Sequence, residues 1–417
     1  MDIISDLHIH SKFSRACSKN LVIKNLEKYG KIKGVNLIGT GDFTHPEWIK
    51  EIKSELTEVD NSGIFQTKTG FKFMLTSEVS LIYTHHGKGR RVHQVLFAPN
   101  LEVVEQITDY LLKHGRIDYD GRPIFKIPSP EFVENMMQID KKIEVIPAHI
   151  WTPWFGMLGA NSGYNSIKEC FDDQIKNVHA IETGLSSDPG MNRRLSELDN
   201  IQLLSFSDSH SFWPWRLGRE ATLFSMKKLT YDNILKAVRT GEGLKETIEV
   251  DPGFGKYHFT GHRNCGVNLS PKEAIKLRNI CPVCRKQLTI GVEQRVDELA
   301  DREEPKNAPL FKKMIPVSEL LSLHYKAGIA TKKIWEKFNA LSEGRSELDI
   351  LLNMEKEKIA AITDNEFAEI IMKNRAGGIE VVPGYDGVYG IPIVGDKNDI
   401  PKKEIIKPKQ IQKELGT

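Results

Sequence analysis

The sequence predicts an α/β fold in which short parallel strands finish at one common face, and three observations carry that expectation. The first residues, Asp2, Ile3, Ile4, Ser5, Asp6, Leu7, His8, Ile9 and His10, form an apolar stretch whose period of two puts Asp6, His8 and His10 on one side of a strand. Five later apolar runs lead to a residue type that ligates metals: Val35 to Thr40 before Gly41-Asp42, Phe71 to Thr76 before Ser77-Glu78, Ile143 to Ala148 before His149, His179 to Ile181 before Glu182, and Ile201 to Ser207 before Asp208-Ser209-His210. A sixth run, Val92 to Ala98, opens with His93 instead of closing on a ligand. In a (β/α) barrel the carboxyl ends of the strands meet at one face, so side chains at those ends converge on one pocket.

Helices are expected between the strands, near residues 20 to 33, 46 to 58, 101 to 115 and 230 to 240. Ser129-Pro130-Glu131 opens another, with Ser129 as cap, proline in the first turn, and Phe132, Val133, Met136 and Met137 at helical spacing.

Each candidate ligand taken alone has an ordinary explanation. Asp42 suits a helix cap, Glu78 and Glu182 suit ion pairs, and His93 and His149 suit a hydrogen-bonded core. Jointly they point to metal: of 13 histidines, ten fall at or before His210, and the strand-end pattern uses five of these together with four acids. Imidazole and carboxylate suit zinc, manganese or iron(II), and the set exceeds what one ion can use, so two or three divalent ions are expected.

Two loops flank this set. His85-His86-Gly87-Lys88-Gly89-Arg90-Arg91 is basic, and Lys88, Arg90 and Arg91 suit a phosphate backbone as well as a solvated hairpin tip. The segment from Trp151 to Tyr164 is aromatic and glycine-rich; Trp151, Trp154, Phe155 and Tyr164 suit base stacking or a packed lid. Trp213, Trp215, Arg216 and Arg219 extend the same mixture.

After Gly243 the composition shifts. His262-x2-Cys265, a spacer of 15, and Cys281-x2-Cys284 have the spacing of a closed structural zinc site, with His258 as the alternative to His262. Eight Lys or Arg against two Glu between Lys256 and Arg295 make this module a plausible nucleic-acid clamp. From about Pro305 the chain reads as mainly helical, with Val317 to Leu323 one helix and Thr363-Asp364-Asn365-Glu366 a capping box for another, ended by Gly377-Gly378. A short strand from Ile379 enters a glycine-rich turn carrying Tyr385 and Tyr389, which suit stacking or hairpin packing equally. A Lys- and Pro-rich tail, expected to be mobile, begins at Pro401.

A chain of 417 residues is long enough for two or three domains, and the net charge of +2 does not by itself announce a polyanion partner. Five cysteines, three of them clustered between 265 and 284, favour metal binding in a reducing compartment over disulfides. With no apolar run of bilayer length and no basic leader, the expectation is a soluble, intracellular, cytoplasmic protein.

The order His8-x-His10, Asp42, Glu78, His93, His149, Glu182, Asp208-x-His210 resembles the motif series of the polymerase and histidinol phosphatase (PHP) superfamily of metal-dependent phosphoesterases. The resemblance implies a distorted (β/α)7 barrel around a trinuclear site. Two positions depart from it. Phe43 stands where the motif has a second histidine, leaving His45 as a substitute, and no histidine occurs near Ser14 and Arg15. The whole arrangement, with the zinc module and the Pro383-Gly384-Tyr385-Asp386-Gly387-Val388-Tyr389-Gly390 segment, resembles the endonuclease Q family of archaea and some bacteria.

That likeness implies a DNA repair endonuclease cutting 5′ to deaminated bases (uracil, hypoxanthine, xanthine) or abasic sites. The expected catalytic set is Asp208, His210, Glu78 and His8, served by zinc, manganese or magnesium beside a separate structural zinc. The expected domains are 1–245 (barrel), 246–304 (zinc module) and 305–417 (mainly helical, with a basic tail). A phosphomonoesterase acting on a small ester and a non-catalytic DNA-binding protein are the competing readings. The expected partner is DNA with damaged bases; a sliding clamp is a further partner that no motif identifies.

Overall fold

The computed structural model describes residues 1–394. Its first thirteen strands are β1 (Asp2–Asp6), β2 (Leu37–Gly39), β3 (Thr57–Glu58), β4 (Ile64–Gln66), β5 (Lys72–Met74), β6 (Thr76–His85), β7 (Lys88–Phe97), β8 (Ile124–Phe125), β9 (Glu144–Pro147), β10 (Ala180–Glu182), β11 (Gln202–Leu204), β12 (Ala221–Ser225) and β13 (Leu244–Glu249). Three more, β14 (Thr260–His262), β15 (Val267–Leu269) and β16 (Phe311–Lys313), follow.

The fold is mixed α/β with a helical C-terminal region. Its ladders do not close into one parallel barrel. They form an eight-stranded sheet ordered β16-β13-β12-β1-β2-β5-β4-β3, a four-stranded sheet β8-β6-β7-β9, and a separate parallel pair β10-β11. Single backbone bonds join these sheets. Ala98 N donates to Leu75 O beyond β5, Ile150 N to Glu182 O at the end of β10, and His10 N to Ser209 O beyond β11.

β7 runs antiparallel to β9, with Gln94 opposite Pro147. This reversal explains why His93 lies near the start of its run. Midway along the reversed strand, His93 O accepts from Ala148 N just beyond the end of β9, so the opening of its run and not its close meets the face where β9 ends.

The expected helices appear as Ile23–Lys33, Pro46–Glu55, Leu101–His114 and Tyr231–Thr240. Two cap assignments are corrected. Ser129 is the first residue of its helix and Pro128 the cap, because the Ser129 hydroxyl is engaged with that of Tyr83 at 2.7 Å. Asp364, not Thr363, caps Asn365–Arg375 by accepting from Phe367 N, while the Thr363 hydroxyl donates back to Ile359 O.

The C-terminal helices Val317–His324, Lys332–Leu341, Glu347–Leu352, Lys356–Ile362 and Asn365–Arg375 pack on the strand-bearing part through a shared apolar core that includes Ile9, Trp48, Val317, Phe338 and Ile371. Two contacts reinforce the seam. Lys33 Nζ and Glu347 Oε2, both buried, lie 3.3 Å apart. Trp335 packs against Trp213 and Trp215, which stack 5.1 Å apart just after His210. β16 pairs parallel with β13, so the region after residue 305 begins with a strand of the large sheet. A last hairpin joins β17 (Val381–Val382) and β18 (Ile391–Pro392). The Lys- and Pro-rich tail from Pro401 lies outside the described residues, and none of the described helices is long and apolar enough to cross a membrane.

Candidate metal centre

The residues at the strand ends meet in two groupings able to hold an ion. One comprises His8, His10, Glu78 and Asp208; the other Glu78, His93 and His149; within each, one donor atom per residue lies within 4.8 Å of the rest. Glu78, fully buried, belongs to both. Its Oε2 lies 3.4 Å from His8 Nε2 and 3.2 Å from His10 Nε2, and its Oε1 lies 2.8 Å from His93 Nδ1 and 3.3 Å from His149 Nε2. Each oxygen of this carboxylate thus faces one grouping, and Glu78 could ligate an ion held in either.

Behind these donors stand groups that orient them. Glu182 contacts His8 Nδ1 at 2.9 Å and accepts from His149 N at 2.7 Å. Asp42 contacts His10 Nδ1 at 3.0 Å and accepts from Ser11 N and the Ser14 hydroxyl. Thr152 Oγ1 faces His149 Nδ1 at 3.1 Å. Occupying the rear nitrogen of an imidazole sets its ring plane and tautomer and leaves the other nitrogen for an ion.

Asp42 and Glu182, expected at the metal, therefore lie outside both groupings, as does His210. The His210 Nδ1 turns to Asp208 O at 3.0 Å, and its ring packs 4.6 Å from that of His10. Asp6 leaves the expected row as well: it accepts from Ser207 N and Gly218 N and so ties down the loop that carries Asp208.

The donor set fits divalent cations. His8 Nε2 is buried without a hydrogen-bond partner. Burial pushes His93 down to about 4, keeping its imidazole neutral. Burial would lower His8 and raise Glu78, yet Glu182 and Glu78 hold His8 well above its ordinary value, and His93, Arg122 and His8 hold Glu78 well below its own. Opposed in this way to burial, the cluster calls for positive charge at its centre. Asp42, His149 and Asp208 all have positive φ, at 46°, 31° and 47°. Such backbone costs about 1–3 kcal/mol per residue and collects at functional sites.

Arg122, which no motif in the sequence marks, has its Nη1 2.9 Å from Glu78 Oε2. The two departures from the PHP motif have definite places in the fold. Phe43 is in the core. His45 caps Pro46–Glu55, accepts from Glu47 N and stacks on Phe13, so it does not reach the centre. Ser14 Oγ lies 3.2 Å from His10 Nδ1, close to the position that lacks a histidine.

The nucleic-acid candidates divide by burial. Trp151, Tyr164 and Arg90 belong to the interior, contrary to the stacking and backbone-binding roles expected of them. Trp151 donates to Asn192 Oδ1, Tyr164 donates to the Tyr83 hydroxyl, and Arg90 lies over the Tyr164 ring while pairing with Glu169. Phe155 is half-buried on His93, with ring centroids 4.4 Å apart. Lys88 and Arg91 are exposed, as is Trp154. Arg91, Trp154 and the unforeseen Lys126 line a cleft of about 620 Å³. Arg216 and Lys256 approach the exposed Tyr389 ring at 5.7 and 4.7 Å, whereas Tyr385 is half-buried in its hairpin.

A separate grouping brings together His262, Cys265, Cys281 and Cys284, with His262 Nδ1 3.3 Å from Cys284 Sγ. His258 is instead engaged with Glu293 and Phe259. Lys272, Lys276, Arg278, Arg285 and Lys286 on this module are exposed.

Residues 316–378 match the family model described as the MJ0043 C-terminal domain. The chain is 31% identical over 294 residues to the uncharacterized protein MJ0043 of Methanocaldococcus jannaschii, covering 67% of this chain and 35% of that relative, so it spans about a third of the relative's length. Among solved structures it is similar to the lesion-specific endonuclease PfuEndoQ from Pyrococcus furiosus, with 32% identity, a TM-score of 0.84, and coverage of 97% of this chain and 100% of that one. It is equally similar to endonuclease Q in complex with a 27-mer duplex substrate carrying an abasic lesion at the active site, with 32% identity, a TM-score of 0.86, and coverage of 98% and 100%.

Proposed function

The chain belongs to the endonuclease Q family, and from that membership we propose that it is a metal-dependent DNA repair endonuclease hydrolysing the phosphodiester bond 5′ to a deaminated base (uracil, hypoxanthine or xanthine) or an abasic site. The observation that carries the reading is Glu78, shared between two ion-holding groupings beside Arg122. His8, His10, Asp208, His93 and His149 would hold the ions with Glu78. When bound, such ions supply Lewis acidity that lowers the pKa of water and neutralises phosphate charge.

Several of the chain's own groups complete the site. Glu182, Asp42 and Thr152 hold the imidazoles in ligating orientation. Arg122, directed at Glu78, puts a fixed positive charge where a phosphate would approach. Arg91, Lys126 and Trp154 give the cleft they line cationic and aromatic faces, a combination that suits a single strand. A damaged base pairs poorly and leaves the stack at low cost, which favours its capture beside the centre.

The His262, Cys265, Cys281 and Cys284 grouping is read as the structural zinc site, and its exposed basic side chains as contacts to the duplex backbone. The bonds from Ala98, Ile150 and His10 that join the three sheets support a distorted (β/α)7 barrel. The domain bounds 1–245, 246–304 and 305–417 remain a reading of the sequence, and the pairing of β13 with β16 runs across them. A nuclease of this kind acts on cytoplasmic DNA.

The test is a duplex with one deoxyuridine in an end-labelled strand, incubated with divalent metal beside an undamaged duplex, an abasic duplex and Asp208→Asn protein. A single nick 5′ of the lesion, lost in the variant, is expected. Uniform degradation would remove the lesion specificity, and hydrolysis of a small phosphate ester with all three duplexes intact would replace the reading with a phosphomonoesterase.

A further inference from the structure

Away from the centre, three side chains converge at the tip of the β6–β7 hairpin. His85 Nε2 lies 3.3 Å from Asp172 Oδ2 and His86 Nε2 lies 3.7 Å from Asp172 Oδ1, with the two imidazole centroids 3.9 Å apart. One donor atom from each of the three lies within 4.8 Å of the others. Neighbouring residues of a strand normally point to opposite faces. These two histidines share a side because His86 and Gly87, with φ of 49° and 71°, are the central residues of a two-residue hairpin turn of the kind that usually holds Asn-Gly. Asp172 too has a positive φ, 48°.

The hydrogen bonding around His85 determines what can lie between these groups. The Tyr164 hydroxyl donates to that of Tyr83 at 2.9 Å, so its oxygen is left to accept from His85 Nδ1 at 3.0 Å. With its hydrogen on Nδ1, His85 turns Nε2 toward the Asp172 carboxylate at 3.3 Å, a gap that either a proton or a metal ion fills. The alternative is a proton on His85 with a neutral His86 donating its Nε2 hydrogen to Asp172, which pairs the groups two at a time. One divalent ion satisfies both imidazoles and the carboxylate at once.

We propose that His85, His86 and Asp172 form a divalent-cation site, of the class that takes zinc or nickel on two imidazoles and a carboxylate, with its remaining positions open to water. An ion there ties the hairpin tip to the turn after helix Ile167–Phe171 and adds positive charge beside Lys88 and Arg91. Unlike the buried groupings it faces solvent, so its ion exchanges with the medium. Tyr164 is a positioning residue for His85.

The test compares full-length protein with His86→Asn, which retains a residue tolerated at positive φ, and with Asp172→Asn, which retains shape. After dialysis against micromolar zinc, the wild type is expected to carry one ion more than either variant. Zinc is also expected to slow amide exchange at residues 84 to 90 in the wild type and in neither of these two variants. Tyr164→Phe should need roughly 10- to 100-fold more zinc for the same protection. Equal zinc content in all three proteins, or zinc-independent exchange at the tip in the wild type, would overturn the proposal and leave an ordinary imidazolium–carboxylate contact.

Discussion

Arg122 Nη1 donates to Glu78 Oε2 at 2.9 Å, the same oxygen that faces His8 and His10. The preceding residue makes the approach possible: a Cβ on Gly121 would lie 2.2 Å from Asp42 Oδ2, so only glycine lets this turn press so closely on the centre. The guanidinium is therefore held by backbone packing as well as by charge. Burial would lower its pKa, but Glu78 and Asp208 raise it, so Arg122 remains cationic at any working pH.

If Arg122 stabilises charge at the reacting phosphate, Arg122→Ala should lower kcat for nicking by roughly 10²- to 10³-fold. Arg122→Lys should recover part of that loss, because charge is kept while the planar fork is lost. Single-turnover cleavage of a lesion-bearing duplex measures both, and an unchanged rate in Arg122→Ala would assign the residue to structure alone.

Glu182 gives a second expectation, separable from the first by its dependence on metal. Because it orients His8 through Nδ1 and accepts from His149 N, Glu182→Gln should weaken metal binding by roughly 10- to 100-fold while leaving every proposed ligand in place. Titrating activity with manganese should show a higher midpoint and a recovered plateau. A lowered plateau with an unmoved midpoint would contradict the orienting role.

The grouping of His262 with three cysteines distinguishes two histidines. His262→Ala should lose the structural ion and unfold the module locally, because a closed site of this kind contributes directly to folding. His258→Ala should keep the ion, since that ring meets Glu293 and Phe259. Metal content of the purified variants decides the matter. The effect should spread to the C-terminal hairpin, because Asp386 accepts from Arg263 N and from the Thr289 hydroxyl.

A pH effect on stability follows from Glu249. This buried carboxyl accepts from the hydroxyls of Thr247, Ser205 and Thr183, and Ser205 also faces Glu220. Burial pushes Glu249 up to about 8 from an ordinary 4.5. The folded protein therefore keeps a proton that the unfolded chain releases. The resulting stabilisation is full below 4.5 and is lost as pH rises to about 8, on the order of a few kcal/mol at most. Glu249→Gln should flatten the fall of the urea midpoint over that range and be the more stable protein above it. Parallel pH profiles for the two proteins would contradict the assignment.

Much of the candidate centre was legible in the chain because the signal is local. An apolar strand with histidines at a period of two, or a pair of Cys-x2-Cys-type knuckles, specifies its own geometry over a few residues, so His8, His10, Glu78, His93, His149 and Asp208, and the set of His262 and three cysteines, are brought together as expected. Asp42 and Glu182 were found at the right strand ends, but their part in the site was not readable. Whether a carboxylate meets an ion or the rear nitrogen of a histidine depends on a few ångströms of side-chain placement.

The sequence by itself determined which residue types stand at the strand ends, the zinc spacing, the helices of the C-terminal region and the family to which the chain is similar. Tertiary structure alone decided the rest. It reversed β7 so that His93 joined the centre, brought Arg122 against Glu78 across 44 residues, and buried Trp151, Tyr164 and Arg90 while leaving Trp154 and Arg91 exposed. It also placed His85 and His86 opposite Asp172. The physical reason is common to all of these: period and spacing act along a few residues of chain, whereas the facing of one side chain by another far away in sequence is set by how complete elements pack and which polar groups must find partners when water is excluded.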